Sequence, residues 1–200
     1  STLDRSSAAS DVYKRQVRDL LDAARAAPGK LNYGSGGVGS SQHLAGAMFK
    51  SRTGIDILHI PYKGSGPAVS DLLAGQVDMM IDTGSLAQVQ AGALRALAVA
   101  SRQRLPALPD VPTFAEAGIA DMHASAWYGI VAPAGTPAAI VDRLNQDINA
   151  ITASPDMRQR MEAMGALVPA GQPPAAFGEF MRTEIDRYGA IVKLSGAKME

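Results

Sequence analysis

The sequence predicts an α/β fold built on a mostly parallel sheet, and three observations carry this prediction. Short segments with strand character alternate with helical segments of about ten residues, a spacing typical of right-handed crossover connections. Most of the strand segments are apolar on both faces, as expected of strands that helices cover on both sides. Finally, 20 glycines and 12 prolines divide the 200-residue chain into short units.

Composition narrows the classes of protein to which the chain can belong. Lys plus Arg and Asp plus Glu number 19 each, so no excess positive charge favours nucleic acid as a partner. The lack of cysteine excludes disulfides, thiolate metal sites and cysteine nucleophiles. No unbroken apolar run approaches the roughly 18 residues of a membrane span. We therefore expect a globular chain that does not bind nucleic acid.

The opening peptide STLDRSSAASDVYKRQ is treated separately from the fold. It is polar and lacks periodicity, and it has neither the basic start nor the apolar stretch of a secretory signal. Its last part, DVYKRQ at residues 11–16, resembles a translated transposase-type sequencing adaptor. We expect residues 1–16 to be such a scar or a disordered tail, because chain termini are often poorly ordered.

Capping residues mark the predicted starts and ends of the first helices. The pattern VRDLLDAARAA at residues 17–27 predicts a helix that the next Pro-Gly pair ends. A short strand at residues 31–33 leads into the glycine-rich YGSGGVGS. Ser40 or Ser41 can cap the following helix, which we expect to end near Gly54.

The same alternation continues through the middle of the chain. IDILHI at residues 55–60 predicts a second strand, followed by a helix from Pro67 to Gly75. VDMMID at residues 77–82 predicts a third strand, and LRALAVA at residues 94–100 a fourth. A short helix that begins after Ser85 separates these two strands. Beyond them, LPALPDVP places three prolines in eight residues, which excludes a central strand.

The C-terminal part is mainly helical. We expect one strand around residues 127–132, a helix begun by Pro137, another begun by Pro155, and a last helix near the C-terminus. Apolar helix faces need a surface to pack on, and one strand offers too little. We infer that residues 17–123 form one nearly complete lobe, the second, whereas residues 124–200 return to the first lobe, whose sheet is largely outside this chain.

A glycine-rich loop between the first strand and the second helix is the main candidate for binding. Gly34, Gly36 and Gly39 match the pattern G-x-G-x-x-G, which also occurs in dinucleotide-binding enzymes. Such an enzyme needs an acidic residue at the end of the next strand to hold the ribose. Asp56 lies at the beginning of that strand instead, so a nicotinamide oxidoreductase is the weaker alternative.

The same loop suits a small anion. Glycines let several N–H groups approach one ligand, and the following helix adds unpaired N–H groups and the positive end of its dipole. Hydrogen bonds to a charged group contribute about 1.5–3 kcal/mol each, so three or four could hold a carboxylate without arginine. The competing interpretation is a tight turn with no ligand. The predicted contacts are Ser35, Gly36, Gly37, Gly39, Ser40 and Ser41.

Polar residues also follow the other strands. In a parallel sheet, ligands gather outside the carboxyl ends of the strands. Lys63 and Gly64 follow the second strand, and Asp82 ends the third. We predict that all three join the site, although Lys63 could be a solvated charge and Asp82 could hold a loop instead of contacting a ligand amine.

Motifs for enzyme chemistry are missing from the sequence. It contains no G-x-S-x-G elbow, H-E-x-x-H, P-loop or calcium loop. His43 and His59 are expected to be structural. Trp127 and Tyr128 could line a cleft, although an aromatic pair before a strand is more often packing. We predict no catalytic residue, no metal and no cofactor.

Four segments in this order resemble the Bug-type extracytoplasmic receptors of tripartite tricarboxylate transporters. They are YGSGGVGSSQHL, IDILHIPYKGSGPAVSDLLAGQVDMMID, AGALRALAVASRQRLPALPDVPTFAEAG and WYGIVAPAGTP. The resemblance runs from about Val17 to the C-terminus. It implies a type II periplasmic-binding-protein fold, with two lobes that close on a small carboxylate. It further implies a periplasmic, non-enzymatic protein that is monomeric when complete and passes its ligand to membrane subunits.

The resemblance also assigns a role to the glycine-rich loop. In the family, one carboxylate is gripped by main-chain N–H, hydroxyl and water contacts from two loops, one in each lobe. The second-lobe loop matches residues 35–40 here. Family members begin with a signal peptide and a first-lobe ligand loop that nothing in this sequence matches, so we expect half of the clamp to be absent. A ligand-sensing regulatory domain is the remaining alternative.

Overall fold

The computed structural model describes residues 16–197. The predicted scar at residues 1–16 therefore lies outside the described residues except for its last member, and it stays a prediction. Gln16 is the N-cap of the first helix, and its backbone N–H donates to Asp19 Oδ2 at 2.9 Å. This capping contact sets the start of the first helix at Val17.

A three-stranded parallel sheet forms the centre of the molecule, as predicted. The central strand is β1, Asn32–Ser35, with β2, Leu58–Pro61, on one side and β3, Met79–Met80, on the other. Tyr33 lies opposite His59 in the pairing of β1 with β2. Since all three strands run in one direction, the segments that follow β1, β2 and β3 meet at the same edge of the sheet.

Four helices accompany the sheet. They are α1, Val17–Ala26; α2, Ser41–Thr53; α3, Ser65–Leu73; and α4, Leu86–Gln90. Of the two cap candidates, Ser40 is the N-cap of α2, because its Oγ accepts the His43 N–H at 3.2 Å. Gly54 ends the same helix with a φ of 66°, a left-handed conformation that glycine adopts without steric cost.

Two predicted strands are wrong. Residues 94–100 form only an isolated parallel bridge, between Val99 and Thr113. Residues 127–132 form no strand, and Tyr128 is 92% exposed. Both segments are apolar enough for a strand, but a strand also needs a neighbour to accept its hydrogen bonds. Among the described residues, no such neighbour lies beside residues 127–132.

Three helices complete the described chain, and the starts of the first two agree with the predictions to within one residue. They are α5, Ala138–Ala153; α6, Pro155–Ala163; and α7, Pro174–Ser195. The C-terminal half of α7 packs against α2, where Ile191 enters the core. By contrast, α5 leaves Ile140 and Ile151 about half exposed. The assignment of residues 124–200 to the first lobe stays a prediction.

The hydrophobic core lies between α1, the sheet, α2 and the segment before residue 123. Tyr33 and Phe49 are its largest buried side chains, and the ring of Phe49 lies 5.5 Å from that of Phe114. None of the helices described between residues 16 and 197 is long and apolar enough to cross a bilayer. The buried members of the core are Val17, Leu20, Ala24, Tyr33, Leu44, Met48, Phe49, Ile55, Ile57, Phe114, Ile119, Met122 and Ile191.

Candidate functional site

The glycine loop, residues 35–40, connects the carboxyl end of β1 to the first turn of α2. Ser35 is fully buried, and its hydroxyl group both donates and accepts a hydrogen bond within the turn. Its Oγ donates to the carbonyl of Gly37 at 3.1 Å, and the Gly37 N–H donates back to that Oγ at 3.1 Å. Gly37 and Gly39 have φ values of 133° and 78°, which only glycine adopts readily.

The amides expected to bind an anion are partly used by the protein itself. The Gly36 N–H donates to Gln42 Oε1, and the Gly39 N–H donates to His43 Nδ1 at 3.1 Å. The Ser40 N–H donates to the Gly37 carbonyl at 3.2 Å. Side chains from the first turn of α2 thus reach back and fix the loop. No local motif predicts this arrangement.

Three other amides remain for a ligand. Within residues 16–197, the N–H groups of Val38, Ser41 and Gln42 have no hydrogen-bond partner. Val38 is 58% exposed, and Ser41 is the exposed first residue of α2. The N–H groups at a helix start carry the positive end of the helix dipole. The free N–H donors therefore lie slightly beyond the glycines that the motif emphasised.

The loop after β2 is joined to the glycine loop. The Tyr62 N–H donates to the Ser35 carbonyl at 2.9 Å, and the Gly64 N–H donates to the Gly36 carbonyl at 3.1 Å. A Cβ on Gly36 would lie 3.3 Å from the Gly64 carbonyl carbon, so the close approach requires glycine. Lys63 is exposed and forms no ion pair in the part of the chain that the structure describes.

Asp82 holds the two loops together. Its Oδ1 accepts from Gln42 Nε2 at 2.5 Å and from Ser65 Oγ at 3.0 Å. Its Oδ2 is buried and has no hydrogen-bond partner among the described residues. Asp82 therefore bridges α2 and α3, as the loop-holding interpretation predicted, and it orients the Gln42 amide that bonds to Gly36.

Three stacked rings lie beneath the glycine loop. The His59 ring is 4.9 Å from the Tyr33 ring and 4.0 Å from the His43 ring, with angles of 26° and 12°. Burial lowers the pKa of His43, and burial together with the charges of His43 and Lys50 lowers the pKa of His59 to about 4. Burial raises the pKa of Tyr33 to about 12. All three rings are therefore neutral at pH 7.

A cavity of about 260 Å³ opens beside the start of α2. Trp127 lines it and packs edge-on against Phe177 and Phe180, with ring centroids at 5.9 and 5.3 Å. The cavity thus combines aromatic walls with the helix start that carries a free N–H group. Its lining residues are Ser41, Leu44, Ser125, Ala126, Trp127, Tyr128 and Tyr188.

An ion pair on α7 anchors the chain that enters this cavity. Glu184 is buried and forms two bonds with Arg187, of 2.7 and 2.5 Å. The Arg187 Nη1 also donates to the His123 carbonyl at 2.6 Å. The bond to Glu184 raises the pKa of Arg187 above its usual range. The permanent charge of Arg187 therefore holds residue 123, and the aromatic segment after it, against α7.

Known proteins of one family resemble this chain. The model of the family described as tripartite tricarboxylate transporter family receptor matches residues 7–197. The chain belongs to this family. Its members are periplasmic solute receptors, which confirms the resemblance stated from the sequence motifs. Their class is that of binding proteins rather than enzymes.

Two relatives of this chain are considerably longer than the chain. A Pseudomonas protein encoded in a tcbD–tcbE intergenic region is 44% identical over 181 residues, which are 89% of this chain and 54% of that protein. The protein BugT of Bordetella pertussis is 39% identical over 188 residues, which are 91% of this chain and 57% of BugT. The chain spans just over half the length of these relatives.

Solved structures confirm the periplasmic-binding-protein fold. R. palustris Rpa4515 with adipate is similar at a TM-score of 0.83 and 37% identity, covering 92% of this chain and 62% of that chain. The periplasmic binding protein BugD gives 0.81 and 32%, with coverages of 96% and 65%. MatC from Rhodopseudomonas palustris with bound malate gives 0.78 and 29%, with coverages of 92% and 64%.

Proposed function

We propose that this chain is the ligand-binding lobe, together with the return helices, of a solute receptor for a small organic acid. The acid lies between this lobe and a first lobe contributed by sequence outside the chain. It is then delivered to the membrane subunits of a tripartite transporter. The receptor works in the periplasm by binding and hinge closure, without catalysis.

The unpartnered N–H groups of Val38, Ser41 and Gln42 carry this proposal. Three donors at one helix start, beside a cavity with aromatic walls, suit a carboxylate attached to a short carbon chain. The hydroxyl groups of Ser40 and Ser41 are further donors at the same place. Adipate and malate, bound by Rpa4515 and MatC, are both acids of this size.

Nucleotide binding is less well supported by the same surroundings. A ribose needs an acceptor after β2, and Tyr62 and Lys63 occupy that place. Asp82, the nearest carboxylate after β3, already accepts hydrogen bonds from Gln42 and Ser65. Among the described residues, the glycine loop therefore has donors for an anion, whereas the Asp82 oxygen without a partner is buried away from a ribose.

A thermal-shift screen separates the two possibilities. We expect a dicarboxylate at a hundred times its Kd to stabilise the two-lobed protein by about 2.7 kcal/mol, because the ligand binds only the folded state. The panel contains acetate, malate, adipate and citrate, with NAD and NADP as matched controls. Stabilisation by the nucleotides, or by none of the acids, would contradict the proposed function.

A further inference from the structure

The two histidines beneath the glycine loop touch both of its ends. His43 Nδ1 accepts the Gly39 N–H at 3.1 Å, near the start of α2. His59 Nε2 lies 2.6 Å from Ser35 Oγ, at the end of β1. Ser35 Oγ in turn accepts the Gly37 N–H. The stacked pair therefore determines the positions of Ser35, Gly37 and Gly39 without facing the cavity beside Ser41.

The bond from Gly39 depends on the protonation state of His43. A nitrogen can accept the Gly39 N–H only while it carries no proton, so His43 must be neutral with its proton on Nε2. In a doubly protonated His43, the Nδ1–H group would point at the Gly39 N–H group, and neither could accept a hydrogen bond. The Gly39 contact is thus made by the neutral form alone.

The surroundings favour the neutral form of both rings. The Tyr33 ring stacks on His59 at 4.9 Å, and the His43 ring stacks on His59 at 4.0 Å. Lys50 of α2 adds a positive charge nearby, and it is paired with Asp56 at 3.4 Å. No carboxylate among the described residues bonds to either imidazole. Burial and these like charges lower the pKa of both histidines.

We propose that His43 and His59 are positioning residues for carboxylate binding, a neutral imidazole pair that holds the glycine loop in its binding shape. The inference rests on the proposed function and deepens it by making ligand affinity depend on pH. At neutral pH both rings are neutral in the folded chain, so the loop is held. Burial lowers the pKa of His43, so protonation removes the acceptor for Gly39 and loosens the loop only at acid pH.

A positive imidazole would also attract an anion, which has the opposite effect on affinity. The loss of the loop geometry outweighs that attraction because the ring lies behind the loop and already bonds to it. The competing effects predict opposite slopes of affinity against pH. The slope of affinity against pH is therefore compared with that of a variant whose side chains at positions 43 and 59 do not titrate. Its sign shows whether loss of the loop geometry or attraction of the anion is the larger effect.

The test compares the two-lobed wild type with the double variant His43→Asn/His59→Gln. The Asn side chain offers an acceptor near the position of Nδ1, the Gln side chain offers a nitrogen near the position of Nε2, and neither titrates. Calorimetry with adipate, or with malate if adipate gives no thermal shift, yields Kd from pH 7 to pH 4. Dividing the two Kd values cancels the protonation of the acid itself.

We expect the ratio of wild-type to variant Kd to rise several-fold as the pH falls from 7 to 4, because protonation of His43 lowers the binding-competent fraction. His123→Asn is the matched control, because His123 lies outside the stack, and it should follow the wild type. A constant or falling ratio contradicts the inference. If neither acid binds at pH 7, the proposed function itself fails.

A second measurement needs neither a variant nor a ligand. In the wild-type protein, a scalar coupling across the hydrogen bond between the Gly39 nitrogen and His43 Nδ1 reports the contact by NMR. We expect the coupling at pH 7 and its disappearance once acid pH protonates His43, with the fold retained by circular dichroism. A coupling that is absent at pH 7, or that persists after His43 is protonated, overturns the inference.

Discussion

Adding the first lobe is expected to tighten the binding of a small dicarboxylate at least about a hundredfold relative to the 200-residue chain. In the proposed receptor, the first lobe supplies further hydrogen bonds to the acid. Hydrogen bonds to a charged group contribute about 1.5–3 kcal/mol each, and the loss of two of them weakens binding by about two decades or more. The single lobe also leaves the bound acid open to water.

The comparison uses calorimetry on two proteins with the same residues 17–197, one of them carrying a first lobe. A control ligand, NAD, should bind neither protein. Exposed apolar side chains on α5 and in the segment before it, such as Tyr128, Ile130 and Ile140, should also bind less hydrophobic dye when the lobe is present. Equal affinities for the two proteins would contradict the two-lobed account.

Gly46→Ala is expected to destabilise the protein by about 2 kcal/mol, although alanine normally favours a helix. Gly46 lies within α2 and faces Tyr33. A Cβ there would stand 2.5 Å from Tyr33 Cζ and closer still to Cε2. The Tyr33 ring is 2% exposed and stacks on His59, so it cannot move aside without disturbing the rings beneath the glycine loop.

Gly189→Ala is the matched control for that substitution. Gly189 lies within α7, and a Cβ there would meet nothing within 4 Å. We expect this variant to gain roughly 0.5–1 kcal/mol from helix propensity. Urea unfolding of both variants and the wild type gives the comparison. A Gly46→Ala protein as stable as the Gly189→Ala protein would show that Tyr33 is not packed as described.

Local signals predicted the helices well. Ser40 at the start of α2, Gly54 after its end and Pro155 at the start of α6 act within one turn of the chain, so their effects can be read from neighbouring residues. The strand errors at residues 94–100 and 127–132 have a different cause. Strand pairing depends on distant partners, which an apolar run does not reveal.

The position of the glycine loop was predicted, but its hydrogen bonds were not. The glycine pattern located the loop correctly, between β1 and α2. It could not show that the Gly36 and Gly39 amides are taken by Gln42 and His43, because those contacts depend on how the helix side chains fold back. The bridge from Asp82 to Gln42 joins residues forty positions apart. Such contacts arise from the tertiary fold, and no local motif encodes them.

The central claim is that the start of α2 holds the carboxylate of a small organic acid. An NMR titration of the ¹⁵N-labelled two-lobed protein with adipate, or with malate if adipate gives no thermal shift, tests it most directly. We expect the amide resonances of Val38, Ser41 and Gln42 to move together and to saturate. Movement confined to the separate cavity around Arg95, with these three amides unchanged, would contradict the claim.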